Sequence, residues 1–264
     1  MLWKILSSKI MELVRTSKKG TRINPKKTLI FSNPKVGKTD ICSYLTREGK
    51  WTLLDFEKNG NDYGSDFSEG VIQKMGKLSD VKDFCSAVKK VKEEEGELPF
   101  DGIIVDTLTA LQDWCIPYAG KLYKASVGGK NWEEKPEKVL ELANGAGYYW
   151  LRLAMTDVLN RIFEVAPHII LLGHKTDKDL EKKGVKLNYK EVDLLGKLKS
   201  IVPAQMDAVG YMFRKKNETI ISFKTDELQL TGARCEHLVN QDIVIAESDE
   251  NGKNLKTHWD KIFI

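Results

Sequence analysis

The chain has no cysteine pair, little excess charge of either sign, no long apolar run and no internal repeat. Its four cysteines, Cys42, Cys85, Cys115 and Cys235, stand far apart without CxxC spacing. That excludes a disulfide framework and a structural zinc site, and predicts reduced thiols in a cytoplasmic protein. Lys and Arg number 42 against 38 Asp and Glu. The net +4 is too mild to announce nucleic-acid binding, so any basic site must be local. No apolar run approaches the roughly 18 residues that span a bilayer, so no membrane partner is expected. Charges also break up Met1 to Arg15, which lacks the apolar centre of a secretory signal. What is present is 41% hydrophobic and 30% charged residues over 264 positions, enough for a packed core. The reading is one domain over 1–264, with a short helical lead-in at 1–25 and a C-terminal tail at 251–264.

Short apolar runs alternate with helical patterns. Thr28 to Phe31 precedes a helical stretch from Lys38 to Arg47, and Trp51 to Asp55 follows. Ser79 is positioned to cap a helix in which Val81, Phe84, Cys85, Val88 and Val91 share one face. Ile103 to Val105 is a third run. A long amphipathic helix over Tyr148 to Val165 leads to a fourth, His168 to Gly173. Ala208 to Phe213 and Thr219 to Phe223 flank Arg214-Lys215-Lys216-Asn217 as a hairpin. This is an α/β pattern: a mostly parallel central sheet flanked by helices, with an antiparallel extension at one edge. Tyr118 to Gly147 and Lys175 to Leu195 lack periodicity and read as long loops of the functional or mobile kind.

The segment Ser32-Asn33-Pro34-Lys35-Val36-Gly37-Lys38-Thr39, with Asp40 following, matches the phosphate-binding loop GxxxxGK(S/T) except at its first glycine. Such a loop turns backbone N–H groups toward phosphates, while its lysine reaches the β/γ-phosphates and its hydroxyl holds Mg²⁺. A strand before it and a helix after it are the required context. The Cβ of Ser32 disfavours a positive φ at that position. Phe100 to Thr107 is an apolar strand ending in Asp106, which suits a second Mg²⁺ contact beside Thr39. Leu53-Leu54-Asp55-Phe56-Glu57 ends the strand after the loop's helix, and Glu57 there could orient or deprotonate water; a solvated strand-end acid is the other reading.

These motifs in this order resemble the RecA-like P-loop ATPases, over roughly residues 26–235. In that family the strand after the loop's helix ends in a catalytic glutamate, matched by Glu57. The Walker B strand is matched by Ile103 to Asp106, and a later strand ends in a γ-phosphate sensor, matched by Gly173-His174. The small size and that Gly-His ending look most like phage-encoded recombination and single-strand annealing ATPases. The resemblance implies ATP and Mg²⁺ as ligands, hydrolysis by a homo-oligomeric ring or filament, and slow turnover by an isolated monomer. It also implies single-stranded DNA, and a single-strand-binding protein, as partners. A cation supplied by the neighbouring subunit falls on Lys224 first and Arg214 second. The DNA-contacting loop after the sensor strand falls on Lys175, Lys178, Lys182, Lys183, Lys186 and Lys190, against the plain alternative of a solvated loop. Lys121, Lys124 and Lys130 with Tyr123 and Trp132 offer a second basic and aromatic stretch. Two other readings keep the nucleotide site: a DnaB- or KaiC-type machine, and a nucleotide-gated binding module with little turnover.

Overall fold

Runs of fully buried residues, apolar on both faces, form the centre of the sheet, as strands covered on both sides require. The structure, a computed structural model, describes residues 23–57, 71–182, 185–250 and 255–264. Of the lead-in expected at 1–25, only the last three residues fall within these. In chain order the elements are β1 (Lys27–Ser32), α1 (Lys38–Ser43), β2 (Trp51–Asp55), β3 (Ile72–Lys74), α2 (Leu78–Glu95), β4 (Gly102–Asp106) and α3 (Leu108–Ala125). There follow α4 (Ala146–Phe163), β5 (His168–Lys182), β6 (Val185–Val192), α5 (Leu198–Ala204), β7 (Ala208–Lys215) and β8 (Glu218–Ser222). The chain continues through β9 (Gly232–Ala233), β10 (Asp242–Glu247) and β11 (Lys256–Thr257).

The sheet order is β11-β10-β8-β7-β1-β5-β4-β2-β3. From β7 to β3 every neighbouring pair is parallel, and β8, β10 and β11 extend the β7 edge in antiparallel fashion. The expected fold class is therefore the observed one. Side chains alternate between two cores. Leu29, Phe31, Ile103, Val105, Ile169 and Leu171 face α2, α3 and α4, whereas Ile30, Leu53, Ile104, Ile170 and Leu172 face α1 and the C-terminal segment.

Three expectations are corrected. The stretch Tyr118 to Gly147 is not a loop: α3 runs through Ala125, and 3₁₀ turns at Val127–Gly129, Pro136–Glu141 and Ala143–Gly145 lead to α4. Those turns are held by packing against the two helices, which leaves no local period to read. The stretch Lys175 to Leu195 is mainly an antiparallel hairpin, with Lys175 opposite Val192, continuing β5 past His174. Its alternation of lysines and acids suits a two-stranded ribbon and hides the period-2 apolar signal of a strand. α2 starts two residues earlier than a Ser79 cap requires, with Lys77 at the cap position. Asp80 performs the capping, accepting hydrogen bonds from the Gly76 and Lys77 N–H groups at 2.8 and 3.0 Å.

Residues 255–264 of the tail dock on the body. Trp259 Nε1 donates to the Ile41 carbonyl of α1 at 3.0 Å, and Ile262 is fully buried beside it. Asn24 and Ile264 exchange two hydrogen bonds of 2.9 Å.

Candidate nucleotide site

The site is assembled at the sheet edge where β1, β2 and β4 end and β5 passes on at His174. β1 closes at Ser32, and the chain turns through Asn33 to Gly37 into α1. Lys35 (φ 63°) and Gly37 (φ 99°) take the left-handed conformation that such a turn demands, and Gly37 meets it without a Cβ penalty. Ser32 is the last residue of an ordinary strand, so its Cβ does not disturb the loop. Its hydroxyl has a use instead. Lys38 Nζ donates to Ser32 Oγ (2.9 Å) and to the Asn33 carbonyl (3.3 Å), while Ser32 Oγ donates to that same carbonyl (2.7 Å). Burial holds the Lys38 ammonium below its ordinary pKa, opposed by the Asp106 and Glu57 carboxylates.

Asp106 ends β4, two strands from β1, with β5 between them. Burial pushes its carboxyl up to about 6, against the lowering effect of a hydrogen bond with the Thr39 side chain. Its Oδ1 is buried and has no hydrogen-bond partner among the described residues. A buried carboxylate oxygen left open beside a threonine hydroxyl is a donor set that fits a hard divalent cation such as Mg²⁺.

Glu57 lies two residues beyond β2, its N–H donated to Asp55 Oδ1 at 3.0 Å. One carboxylate oxygen, Oε1, accepts from Thr107 Oγ1 at 2.7 Å and lies 3.1 Å from His174 Nε2. The His174 hydrogen bond holds the Glu57 carboxyl below its ordinary pKa, with Thr107 and Lys38 adding to it and burial opposing. His174 pairs in register with Ser32 across β1 and β5. Its carbonyl accepts from Asp193 N–H (2.8 Å), and Thr109 at the start of α3 donates to the Asp193 carbonyl (3.2 Å). The closing end of the β5–β6 hairpin is thus tied to the same group of side chains.

The residues predicted from sequence as loop, metal ligand, base and sensor therefore come together: Lys38, Thr39, Asp106, Glu57 and His174. Thr107 was missed. The only signal for it is a hydroxyl directly after the strand-end acid, where it also caps α3 by accepting from Ala110 N–H. Arg214, assigned by sequence to a neighbouring subunit, lies beside the loop of its own chain. Lys224 follows the far end of β8, away from the loop, and pairs with Asp242.

Of the lysines assigned to DNA, Lys175 pairs with Asp177 at 2.7 Å, and Lys190 lies over the Tyr211 ring at 4.9 Å. Lys178 is exposed. The side chains of Lys182 and Lys186, and Lys183 altogether, lie outside the described residues. In the other basic stretch, Trp132 packs edge-on against Tyr123 with Lys124 over its ring, a structural arrangement.

Residues 24–235 match the family model described as AAA domain. The chain belongs to this family. Membership agrees with the strand, turn and helix that run from Lys27 to Ser43 and with the mostly parallel sheet. A solved structure of the RadB recombinase is similar over 89% of this chain and 92% of that chain, with 10% identity and a TM-score of 0.46. No curated protein matches the sequence. Among the described residues, no helix of this AAA-family protein is long and apolar enough to cross a membrane.

Proposed function

We propose that this AAA-family protein binds ATP with Mg²⁺ in the turn from Ser32 to Asp40 and hydrolyses it. The observation that carries the reading is the convergence of Lys38, the open Oδ1 of Asp106, and the Thr107–Glu57–His174 cluster at one sheet edge. Lys38 exchanges its bonds to Ser32 and Asn33 for the β/γ-phosphate oxygens. Thr39 and Asp106 would hold Mg²⁺, which supplies charge neutralisation across the β- and γ-phosphates. Glu57, held by Thr107 and His174, accepts a hydrogen bond from the attacking water. The water oxygen bonds to the terminal phosphorus as the bond to the bridging oxygen breaks, giving ADP and phosphate. A carboxylate held below its ordinary pKa is a weak base, which suits orientation of water in a loose, metaphosphate-like displacement.

The effector we favour is single-stranded DNA, contacted by the β5–β6 hairpin that continues directly from His174. Support comes from that continuity and from the exposed Lys178. Occupancy of the γ-phosphate site would bias the hairpin through the hydrogen bonds that close it at His174 and Asp193. Replacing Glu57 with Gln tests the hydrolytic reading: the variant should keep ATP and lose turnover by roughly a hundredfold or more. A wild type that binds ATP without turning it over would make the protein a nucleotide-gated module. For the effector, fluorescence anisotropy against single- and double-stranded oligonucleotides at two salt concentrations decides. Binding to neither form with ATP present removes DNA as the partner.

A further inference from the structure

Gln112 is a polar side chain in a place built for apolar ones. Its neighbours on α3, Leu111 and Cys115, are fully buried, and Gln112 is itself 3% exposed. A buried amide costs free energy unless it is hydrogen-bonded. Its Oε1 accepts from the Leu195 N–H at 2.6 Å. One turn earlier, Thr109 Oγ1 donates to the Asp193 carbonyl at 3.2 Å. Thr109 and Gln112 are three apart on α3, hence on one face of the helix. Asp193 and Leu195 are two apart just past the end of β6, with Val192 and Leu194 buried beside them. The exit of the β5–β6 ribbon is thus stapled to α3 at two points.

The cap of the same helix holds Glu57. Thr107 Oγ1 donates to Glu57 Oε1 at 2.7 Å and accepts from the Ala110 N–H at 3.3 Å. The ribbon's entry reaches Glu57 from the other direction, with His174 Nε2 at 3.1 Å from the same oxygen. The His174 carbonyl in turn accepts from the Asp193 N–H at 2.8 Å. These contacts close a ring that runs from Glu57 to Thr107, along the first turn of α3 to Thr109, and back through Asp193 and His174.

We propose that Thr109 and Gln112 are positioning residues for Glu57. They hold the exit of the ribbon to the helix whose cap orients the Glu57 carboxylate. A helical turn is a rigid link in such a network. A ligand that moves the ribbon therefore alters that orientation from α3 as well as through His174. The inference rests on the hydrolytic reading above and names the residues through which the ribbon regulates it.

The test is an isosteric series. Thr109→Val and Gln112→Met remove the hydrogen-bonding atom and nearly keep the volume. Each should lower kcat for ATP roughly tenfold or more, the scale of a small misplacement near the reacting atoms, with ATP affinity unchanged. Thr109→Ser, which keeps the hydroxyl, should turn ATP over like the wild type. Wild-type kcat in both Thr109→Val and Gln112→Met would overturn the proposal, and so would equal losses in Thr109→Ser and Thr109→Val. A fall in ATP affinity matching the fall in kcat would also overturn it, because the two residues would then support only the fold. A second measurement needs neither nucleotide nor turnover. Coupling between two sites is reciprocal, so Glu57→Ala in the nucleotide-free protein should speed amide hydrogen exchange at Asp193 and Leu195 several-fold while the amides of β10 keep their rates. Unchanged exchange at Asp193 and Leu195 would overturn the proposal. If the wild type turns over no ATP, the hydrolytic reading alone fails, and the exchange comparison still decides whether α3 links the ribbon to Glu57.

Discussion

Ser32 and Lys38 illustrate how a departure from a motif is absorbed by one hydroxyl. The serine in place of the first glycine accepts a hydrogen bond from the buried ammonium and donates its own to the Asn33 carbonyl. Ser32→Ala should therefore destabilise the nucleotide-free protein by roughly 1–3 kcal/mol for a charged donor left short of a partner, read as a lower melting temperature. With ATP bound the deficit should shrink, since the ammonium has phosphate oxygens to bond. The nucleotide-induced shift in melting temperature is thus expected to be larger in Ser32→Ala than in the wild type. The Glu57 cluster makes a second statement, about pH. Because its folded-state pKa is depressed, ionised Glu57 contributes stability that is fully present above its ordinary value near 4.5 and is lost as pH falls through the lower folded value. The denaturation midpoint of the wild type relative to Glu57→Gln should be constant from pH 7 to 5 and should decline only below about 4.5. At this scale the coming together of Lys38, Thr39, Asp106, Glu57 and His174 was legible, because each stands at or just past the end of a short apolar run. Thr107 and the nearness of Arg214 to Gly37 were not: the first needs the Glu57 side chain's position, the second the adjacency of β7 to β1.

Helix α3, helix α4 and the 3₁₀ segment at Pro136–Glu141 are locked by glycines. A Cβ on Gly120 would meet the Pro136 carbonyl at 2.1 Å, and one on Gly147 would meet the Val139 carbonyl at 1.9 Å. Both obstacles are backbone, which cannot rotate aside. Gly147→Ala should cost about 1–3 kcal/mol in a urea titration, by overpacking, whereas Gly96→Ala meets no atom within 4 Å and should cost only the strain of its left-handed φ. β1, β2, β4, β7 and the first part of β5 were readable as short apolar runs between helical patterns, whereas β3, the edge strand Ile72–Lys74, was not, since Ile72 is its one apolar residue. The Tyr118–Gly147 region was not, because its turns are specified by close approach to two helices. The β5–β6 ribbon was also missed, since both its faces carry charged residues and the apolar alternation of a half-buried strand is absent.

The fold joins its C-terminal segment to the helix behind the candidate nucleotide loop. Trp259 is buried against α1, and its indole N–H fixes the Ile41 carbonyl three residues beyond Lys38. Trp259→Ala should destabilise the protein by about 3–5 kcal/mol, the range for emptying a large aromatic site. It should also weaken ATP binding, although the tryptophan lies outside the motif. A variant that binds ATP normally while melting earlier would show that the tail supports only the fold. Sequence showed a tail without showing where it docks, because burial of Trp259 depends on a partner some two hundred residues away. All these inferences presuppose a triphosphate held between β1 and α1, and isothermal titration with ATP and Mg²⁺ of the wild type and of Lys38→Ala tests that most directly. Saturable binding by the wild type, weakened at least roughly tenfold in the variant, or about 1.4 kcal/mol, is the expected result. Equal affinity in the two proteins, or none in the wild type, would contradict it.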